Sequence, residues 1–432
     1  MSVGRAALAA GLASAVVATL GMGREMLVSR IFGASVALDA YLLAVTVVSM
    51  GGSILALSLR TSLVPVLAGG LAGESAHAER HRVFTVSLLG AAGVGGALWL
   101  ASLAALPEVL RLLLPQAPPA ITAQLGQWLS PLWCTGMLAG ALQGALQADK
   151  QFLGAGLAPG AVPAAGMLVL AAGGLVDDVT LLAGGTLVGA VLEVLAAGWL
   201  LHRRGWRLRT SAPHAAACSV ALRRVVQQSW ALLPGMSAAA SSQIIDRSMA
   251  AMLGPGAVSA LNYGGKLPSL AITLGGMAVA TAIFPYYAES LGKGDAATAH
   301  ALLRCWSRRL LWAGAAVAAL GMAVSSPAAR WLFEGGAFTA VDTALVAQVQ
   351  ACALLQLPFC WASWAFSRYL AASGRNGVLS LISLGNVAVN VVGNYVCMRW
   401  LGVSGIALAT ALMFLYALLA CRHAVLRGTR AS

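Results

Sequence analysis

Charge is scarce in this sequence, and negative charge scarcest. Of its 432 residues 9% are charged, with 14 Asp and Glu against 27 Lys and Arg. An ordinary soluble domain is about 25% charged, so this chain cannot coat a water-facing surface. Histidine is nearly as rare. All six (77, 81, 202, 214, 300, 423) fall in polar segments or at their edges, so the apolar runs offer no histidine ligand or general base. There is no HExxH, no GxSxG and no Walker lysine loop. Gly93, Gly95 and Gly96 read as helix-packing glycines rather than a phosphate loop. The seven cysteines form no CxxC pair and read as small apolar core residues. Neither enzymatic catalysis, nor ATP hydrolysis, nor a metal or organic cofactor is expected. Two-residue alternation is also missing, which excludes a transmembrane barrel.

What fills the chain is hydrocarbon: 59% hydrophobic residues and a mean hydropathy of +0.82. At about 20 apolar residues per crossing, the pattern predicts an all-α polytopic membrane protein with about twelve transmembrane helices. Their cores are 6–27, 37–60, 84–106, 125–146, 157–176, 180–201, 225–252, 261–288, 307–326, 343–366, 376–398 and 401–421. The run after Arg5 leads directly into Arg24 and the next span, so it reads as an uncleaved first helix. With both termini cytoplasmic, most of the basic residues, among them Arg80, Arg82, Lys150, Arg203, Arg204, Arg209, Arg223, Arg224, Arg308, Arg309, Arg422 and Arg427, fall on one side. That is the positive-inside pattern. The net charge of +13 therefore reports orientation and contact with anionic membrane lipids, not a nucleic-acid partner.

The longest polar link lies between spans six and seven. It divides the chain into a six-helix bundle at 1–202, a basic cytoplasmic linker at 203–224 and a second six-helix bundle at 225–432. The halves read as a repeat. At an offset of 223, Arg24 maps to Arg247, Gly33 to Gly256 and Asp39 to Asn262; T-x-x-x-P-x-x-A occurs at Thr61 and again at Thr281. Because six spans is even, the expected pseudo-two-fold axis runs along the membrane normal, an arrangement suited to alternating access.

The stretch from Gly23 to Pro65 organises the rest. It holds Arg24, Glu25, Arg30, Asp39 and Arg60 in or beside apolar runs. A charge at the bilayer centre costs about 2.5–3.5 kcal/mol on insertion scales, so such ions face a partner or a water-filled cavity. Cations outnumber acids here, which leaves room for an anionic ligand. In the second half Asp246, Arg247 and Lys266 are the matching set, and Glu193 lies in span six. Asp246 and Arg247 project about 100° apart on a helix and need not pair. The blander readings are that Arg30 and Arg60 snorkel to headgroups and that Asp246 and Glu193 close interhelical salt bridges.

GREMLVSRIFGASVALDAY at 23–41 resembles the signature of the MurJ/MviN family of lipid-linked peptidoglycan precursor flippases, within the multidrug/oligosaccharidyl-lipid/polysaccharide exporter superfamily. Similar matches are TSLVPVLA at 61–68, IDRSMAAMLGPGAVSALNYGGKL at 245–267, AIFPYYAE at 282–289, LFEGGAFTAVDT at 332–343 and NVAVNVVGNYVCMRWLGVSGIALATAL at 386–412. The resemblance implies a V-shaped central cleft between two bundles in a bacterial inner membrane. A polyprenyl-diphosphate-linked glycan (lipid II or similar) would cross it from the cytoplasmic to the outer leaflet. It also implies that Arg24 is a cavity arginine, Glu25 a gate acid and Asp39 the acid opening span two, and that Lys266 stands where the family has a cavity arginine. Arg60 and Arg247 would supply further positive charge, because Ala18 and Gly52 stand where arginines are expected. The sequence as given ends after its twelfth span, without the two helices that form the family's lipid-tail groove. The alternatives are therefore an exopolysaccharide or O-antigen flippase of the same superfamily, a cation-coupled small-molecule antiporter, or a non-transporting scaffold. With no ATPase encoded, the membrane potential or a sodium or proton gradient is the expected drive, with Glu25, Asp39 and Glu193 as coupling candidates. Cell-wall or polysaccharide synthesis enzymes are the expected protein partners.

Overall fold

In hydrocarbon every backbone N–H and C=O must be satisfied within the chain, and these apolar runs do so as helices. A computed structural model describes residues 3–69, 76–208 and 215–430; Arg209 and His214 of the basic linker lie outside the described residues. The helices run in order α1 (Val3–Phe32), α2 (Val36–Gly69), α3 (Ala76–Leu113), α4 (Pro119–Leu129), α5 (Leu132–Ala148) and α6 (Phe152–Leu157). After a 3₁₀ turn at Ala158–Gly160 come α7 (Ala161–Ala172), α8 (Val179–Arg203), α9 (Ala215–Ala251), α10 (Ala257–Gly264) and α11 (Lys266–Ala271). A π-turn at Ile272–Met277 leads into α12 (Ala278–Gly292), then α13 (Ala296–Phe333), α14 (Ala340–Leu354), α15 (Gln356–Ala372), α16 (Asn376–Leu401) and α17 (Val403–Arg430). Among the described residues the only strand-like feature is an isolated bridge between Gly335 and Phe338. The all-α polytopic fold class stands.

Among the described residues nine helical segments are long and apolar enough to cross a membrane. The other three expected runs are helical too, but each is interrupted or polar. The run 125–146 breaks between α4 and α5 at Pro131, α9 carries Arg223, Arg224, Asp246 and Arg247, and the run 261–288 is split by Gly265 and by the π-turn. Interrupted helices at membrane depth survive where protein re-satisfies the freed backbone groups.

Packing divides the chain into two units. One takes the residues up to Phe32 and from Val36 to Ala240; the other takes Gly33–Ser35 and the chain from Ser241 onward. This division falls inside α9, downstream of the linker 203–224 that composition marks. The reason is that the two ends of α9 bury different faces. Ala221 and Val225 join Phe84, Leu146 and Trp206 in the first unit's core, whereas Asp246 bonds to α16 and α17. In the first unit Trp206 anchors the turn after α8. Its indole donates to Asp149, which also takes Arg80 at 2.5 Å, and the Arg80 guanidinium lies 4.5 Å from the Trp206 ring centre. The second unit's core gathers Tyr287, Leu303, Leu357, Trp361 and Tyr369. At the start of α13, Thr298 donates to the Asp295 carboxylate at 2.9 Å, and the hydrogen bonds from Thr298, side chain and backbone, hold that carboxyl below its ordinary range. The six described cysteines are free thiols.

Small residues set how closely helices approach. A Cβ on Gly140 of α5 would fall 2.8 Å from the Ala56 Cα of α2, and one on Gly314 of α13 would fall 2.7 Å from the Pro358 Cα of α15. One on Gly405 of α17 would overlap the Cys397 carbonyl of α16. Of the three glycines expected to pack helices in α3, only Gly95 does so, with Cys134 Cα 2.7 Å from its would-be Cβ; Gly93 and Gly96 face open space, which corrects that expectation. Periodicity within α3 alone does not say which face meets α5.

The repeat is visible in local conformation. Gly33 takes φ +57° and Gly256, its counterpart at the offset of 223, takes φ +80°. Only glycine adopts this left-handed region without strain. At Gly33 an added Cβ would also overlap the Ala337 carbonyl oxygen. Gly33→Ala is therefore expected to cost about 2–5 kcal/mol through backbone strain plus overpacking. A thermal melt of the purified variant in detergent checks this; an unchanged midpoint would contradict it.

Candidate functional site

Arg24 lies on α1, half-buried within the first unit. One terminal nitrogen of its guanidinium donates to the Tyr41 hydroxyl on α2 and, at 3.1 Å, to the Thr186 hydroxyl on α8. The two hydroxyls are 2.7 Å apart, and Thr186 in turn donates to the Leu182 carbonyl at 2.9 Å. Tyr41 and Thr186 are themselves buried. The neighbouring wall is α7, where Gly166 leaves the space: a Cβ there would sit 2.8 Å from Arg24 Nε. Residues of four helices thus surround one guanidinium, with two hydroxyls accepting from it and a missing side chain leaving it room.

Further along the same helices, Arg60 and Glu193 are brought together, though not directly. Arg60 Nη1 donates to Gln143 Oε1 at 2.8 Å, and Gln143 Nε2 donates to Glu193 Oε1 at 2.7 Å. A buried amide on α5 therefore links a cation on α2 to an acid on α8. Through this link Arg60, half-buried, is held to α5 within the first unit. Glu193 lies seven residues after Thr186, two turns along α8 and on nearly the same face.

In the second unit Asp246 and Arg247 separate, as their positions on a helix require. Asp246 accepts from Asn390 Nδ2 at 3.0 Å, Asn394 Nδ2 at 2.7 Å and Thr410 Oγ1 at 3.3 Å. Asn390 and Asn394 are fully buried. Their own amide oxygens, and that of Asn386, are buried without a hydrogen-bond partner. Arg247 donates to Asn262 Oδ1 at 3.0 Å, so the residues matching Arg24 and Asp39 at the repeat offset meet each other. Lys266 opens α11 directly after the Gly265 break and is half-buried. Asp39 is buried in the first turn of α2 and Glu25 is half-buried beside Arg24 on α1.

Sequence reasoning missed Tyr41, Thr186, Gln143, Asn390, Asn394 and Thr410. Asn386, Asn390 and Asn394 recur every four residues inside an apolar run, which puts three amides on one helix face. That signal was available; the partners of Arg24, separated from Thr186 by 162 positions, had none. Among the described residues no group of three or more His, Cys, Asp or Glu could hold a metal. Asp246 with its amide and hydroxyl neighbours can present oxygens to one small cation, because turning either amide exchanges its N–H donors for an acceptor oxygen.

The profile of the family described as "Lipid II flippase MurJ" matches residues 28–427. The chain belongs to that family. Arg24 and Glu25 lie just upstream of the matched stretch; every other site residue lies within it. Two Helicobacter pylori proteins, from strains J99 and 26695, each described as "Probable lipid II flippase MurJ", are 29% and 30% identical over 200 and 187 residues. Those alignments take in 46% and 43% of this chain but only 43% and 40% of the relatives' own length. A solved structure described as "Lipid II flippase MurJ, inward closed conformation" superposes with a TM-score of 0.79 at 18% identity, covering 96% of this chain and 87% of that one. An inward-facing multidrug resistance MATE transporter of the MOP superfamily gives 0.76 at 17% identity, covering 96% of both chains. At these identities the likeness is one of fold. MurJ-family membership and the helical spans together make this a multi-pass membrane protein of a transporter family.

Proposed function

We propose that this protein is a flippase for an undecaprenyl-diphosphate-linked glycan, with the peptidoglycan precursor lipid II as its substrate. It moves the headgroup from the cytoplasmic to the outer leaflet of the bacterial inner membrane by alternating access, with both termini cytoplasmic. The observation that carries this reading is the family match across 28–427. The first unit's chemistry supports it: the Arg24 guanidinium is pre-oriented by Tyr41 and Thr186, and an arginine fork matches the oxygens of a diphosphate. Arg247 and Lys266 are the second unit's cations for the same anion, and Asp39 and Glu25 are gate acids.

Turnover needs a drive, and Asp246 is where the geometry favours cation coupling. A half-buried carboxylate that accepts from two amides can exchange those bonds for a proton or a sodium ion. Glu193, held to Arg60 through Gln143, is assigned to bundle integrity instead. The test is flipping in proteoliposomes, with lipid II compared against an undecaprenyl-diphosphate exopolysaccharide repeat. Selective movement of lipid II supports the reading. Movement of the other glycan alone reassigns the protein to polymer export, and movement of neither under an imposed potential overturns the flippase.

A further inference from the structure

One side of the first unit has a groove that the cation site does not use. Gly154, Ala158 and Ala161, on α6, the 3₁₀ turn and α7, line it with Ala196 of α8 opposite. These small side chains leave about 710 Å³, within the roughly 300–1,000 Å³ of ordinary ligand pockets. The walls are hydrocarbon and open outward: Leu153 is 50% exposed and Trp199 52% exposed. In a membrane protein such faces meet lipid chains. At one end the lining turns abruptly polar, with Gln151, Arg203 and Arg204. The Arg203 guanidinium stacks 4.1 Å from the Trp199 ring centre, and Arg204 donates to Gln151 Oε1 at 2.9 Å. Neither arginine forms an ion pair among the described residues, and both are exposed. They belong to the basic edge of the unit: the Arg207 N–H donates to His81 Nδ1 at 3.4 Å, which holds this turn beside Arg80 and Arg82 at the start of α3.

We propose that this groove binds an anionic phospholipid, with an acyl chain between α6–α7 and α8 and the headgroup phosphate on Arg203 and Arg204. An interfacial tryptophan beside two arginines at the end of an apolar slot is the layout such a molecule requires: hydrocarbon first, then a planar amphipathic ring, then cations for phosphate. A soluble anion has no use for the leucine walls. From Ala196 to Arg204 the slot runs about 12 Å along α8, close to the ~15 Å hydrocarbon depth of one leaflet. That suits an acyl chain and falls far short of a polyprenyl tail.

The experiment is native mass spectrometry of the purified full chain, titrated separately with phosphatidylglycerol, phosphatidylcholine and undecaprenyl phosphate. Phosphatidylglycerol should bind at least about tenfold more tightly than phosphatidylcholine, the effect expected of two cations at the surface. The double variant Arg203→Gln/Arg204→Gln should erase that preference. Both substitutions are on exposed side chains, so this arm does not depend on a risky fold. Ala196→Phe, which fills the slot and spares the arginines, should lower binding of both phospholipids. Equal affinity for the two phospholipids would overturn the proposal, as would a preference that survives the double arginine variant. Tighter capture of undecaprenyl phosphate would give the groove to the substrate carrier instead. The readout is bound lipid, so it stands or falls independently of flipping.

Discussion

Arg24→Ala should slow lipid II movement in proteoliposomes by about 10–100-fold, and Arg24→Lys should restore only part of it. A charge-assisted hydrogen bond contributes about 1.5–3 kcal/mol, and every 1.4 kcal/mol is a factor of about ten. Lysine keeps the charge but loses the planar fork, and its ammonium cannot reproduce the geometry set by Tyr41 and Thr186. The hydroxyls themselves provide the graded control. Tyr41→Phe keeps the ring, whose centre lies 5.7 Å from the guanidinium carbon, and removes one acceptor, so a loss of a few-fold is expected. Crowding from behind should mimic the loss of charge: a Cβ on Gly166 meets Arg24 Nε at 2.8 Å, so Gly166→Leu should displace the guanidinium without changing the charge of the bundle. Flipping by Arg24→Ala at the wild-type rate would remove Arg24 from the site.

The second large effect is expected at Asp246, and it separates folding from energy coupling. Asp246→Ala leaves Asn390, Asn394 and Thr410 without their shared acceptor. Interhelical hydrogen bonds in membranes average about 0.6 kcal/mol and reach about 1.7, so three of them predict a loss of roughly 2–5 kcal/mol and a lower melting midpoint. Asp246→Asn preserves the shape and one carbonyl oxygen but carries no charge. It should fold, and its flipping rate should no longer respond to an imposed sodium or proton gradient. The comparison is the ratio of rates with and without the gradient, which should fall to about one. A ratio equal to that of the wild type would remove Asp246 as the coupling site and return attention to Asp39 and Glu25.

The helical class was legible because composition alone leaves a chain of mean hydropathy +0.82 no other way to satisfy its backbone. That Arg24, Asp39, Asp246 and Arg247 lie within helices of apolar character was equally legible, since each interrupts an apolar run. What escaped was partnership. Arg24 meets Thr186 only because α1, α2 and α8 pack together, and nothing local to either residue encodes that. Gln143 is a single amide in an apolar helix, and its neighbours decide whether it links Arg60 to Glu193 or faces lipid. The linker at 203–224 marks where composition changes, while the boundary between packed units falls within α9, because one continuous helix can bury its two ends in different cores. The local signature of the repeat held: Gly33 and Gly256 share the left-handed conformation.

The close glycine contacts also bear on how the gene can vary. Any missense change in a glycine codon installs a residue with a Cβ. Gly140, Gly314 and Gly405, each facing the backbone of a neighbouring helix, therefore have no neutral missense neighbour in the genetic code. Gly93, Gly96 and Gly198, whose would-be Cβ atoms meet nothing within 4 Å, have several. In a saturation library under selection for transport, the first three positions should be purged of every missense codon while the last three drift. The tolerance of this membrane protein to point mutation is thus written in the distances between its helices, position by position, rather than in the abundance of glycine along its sequence.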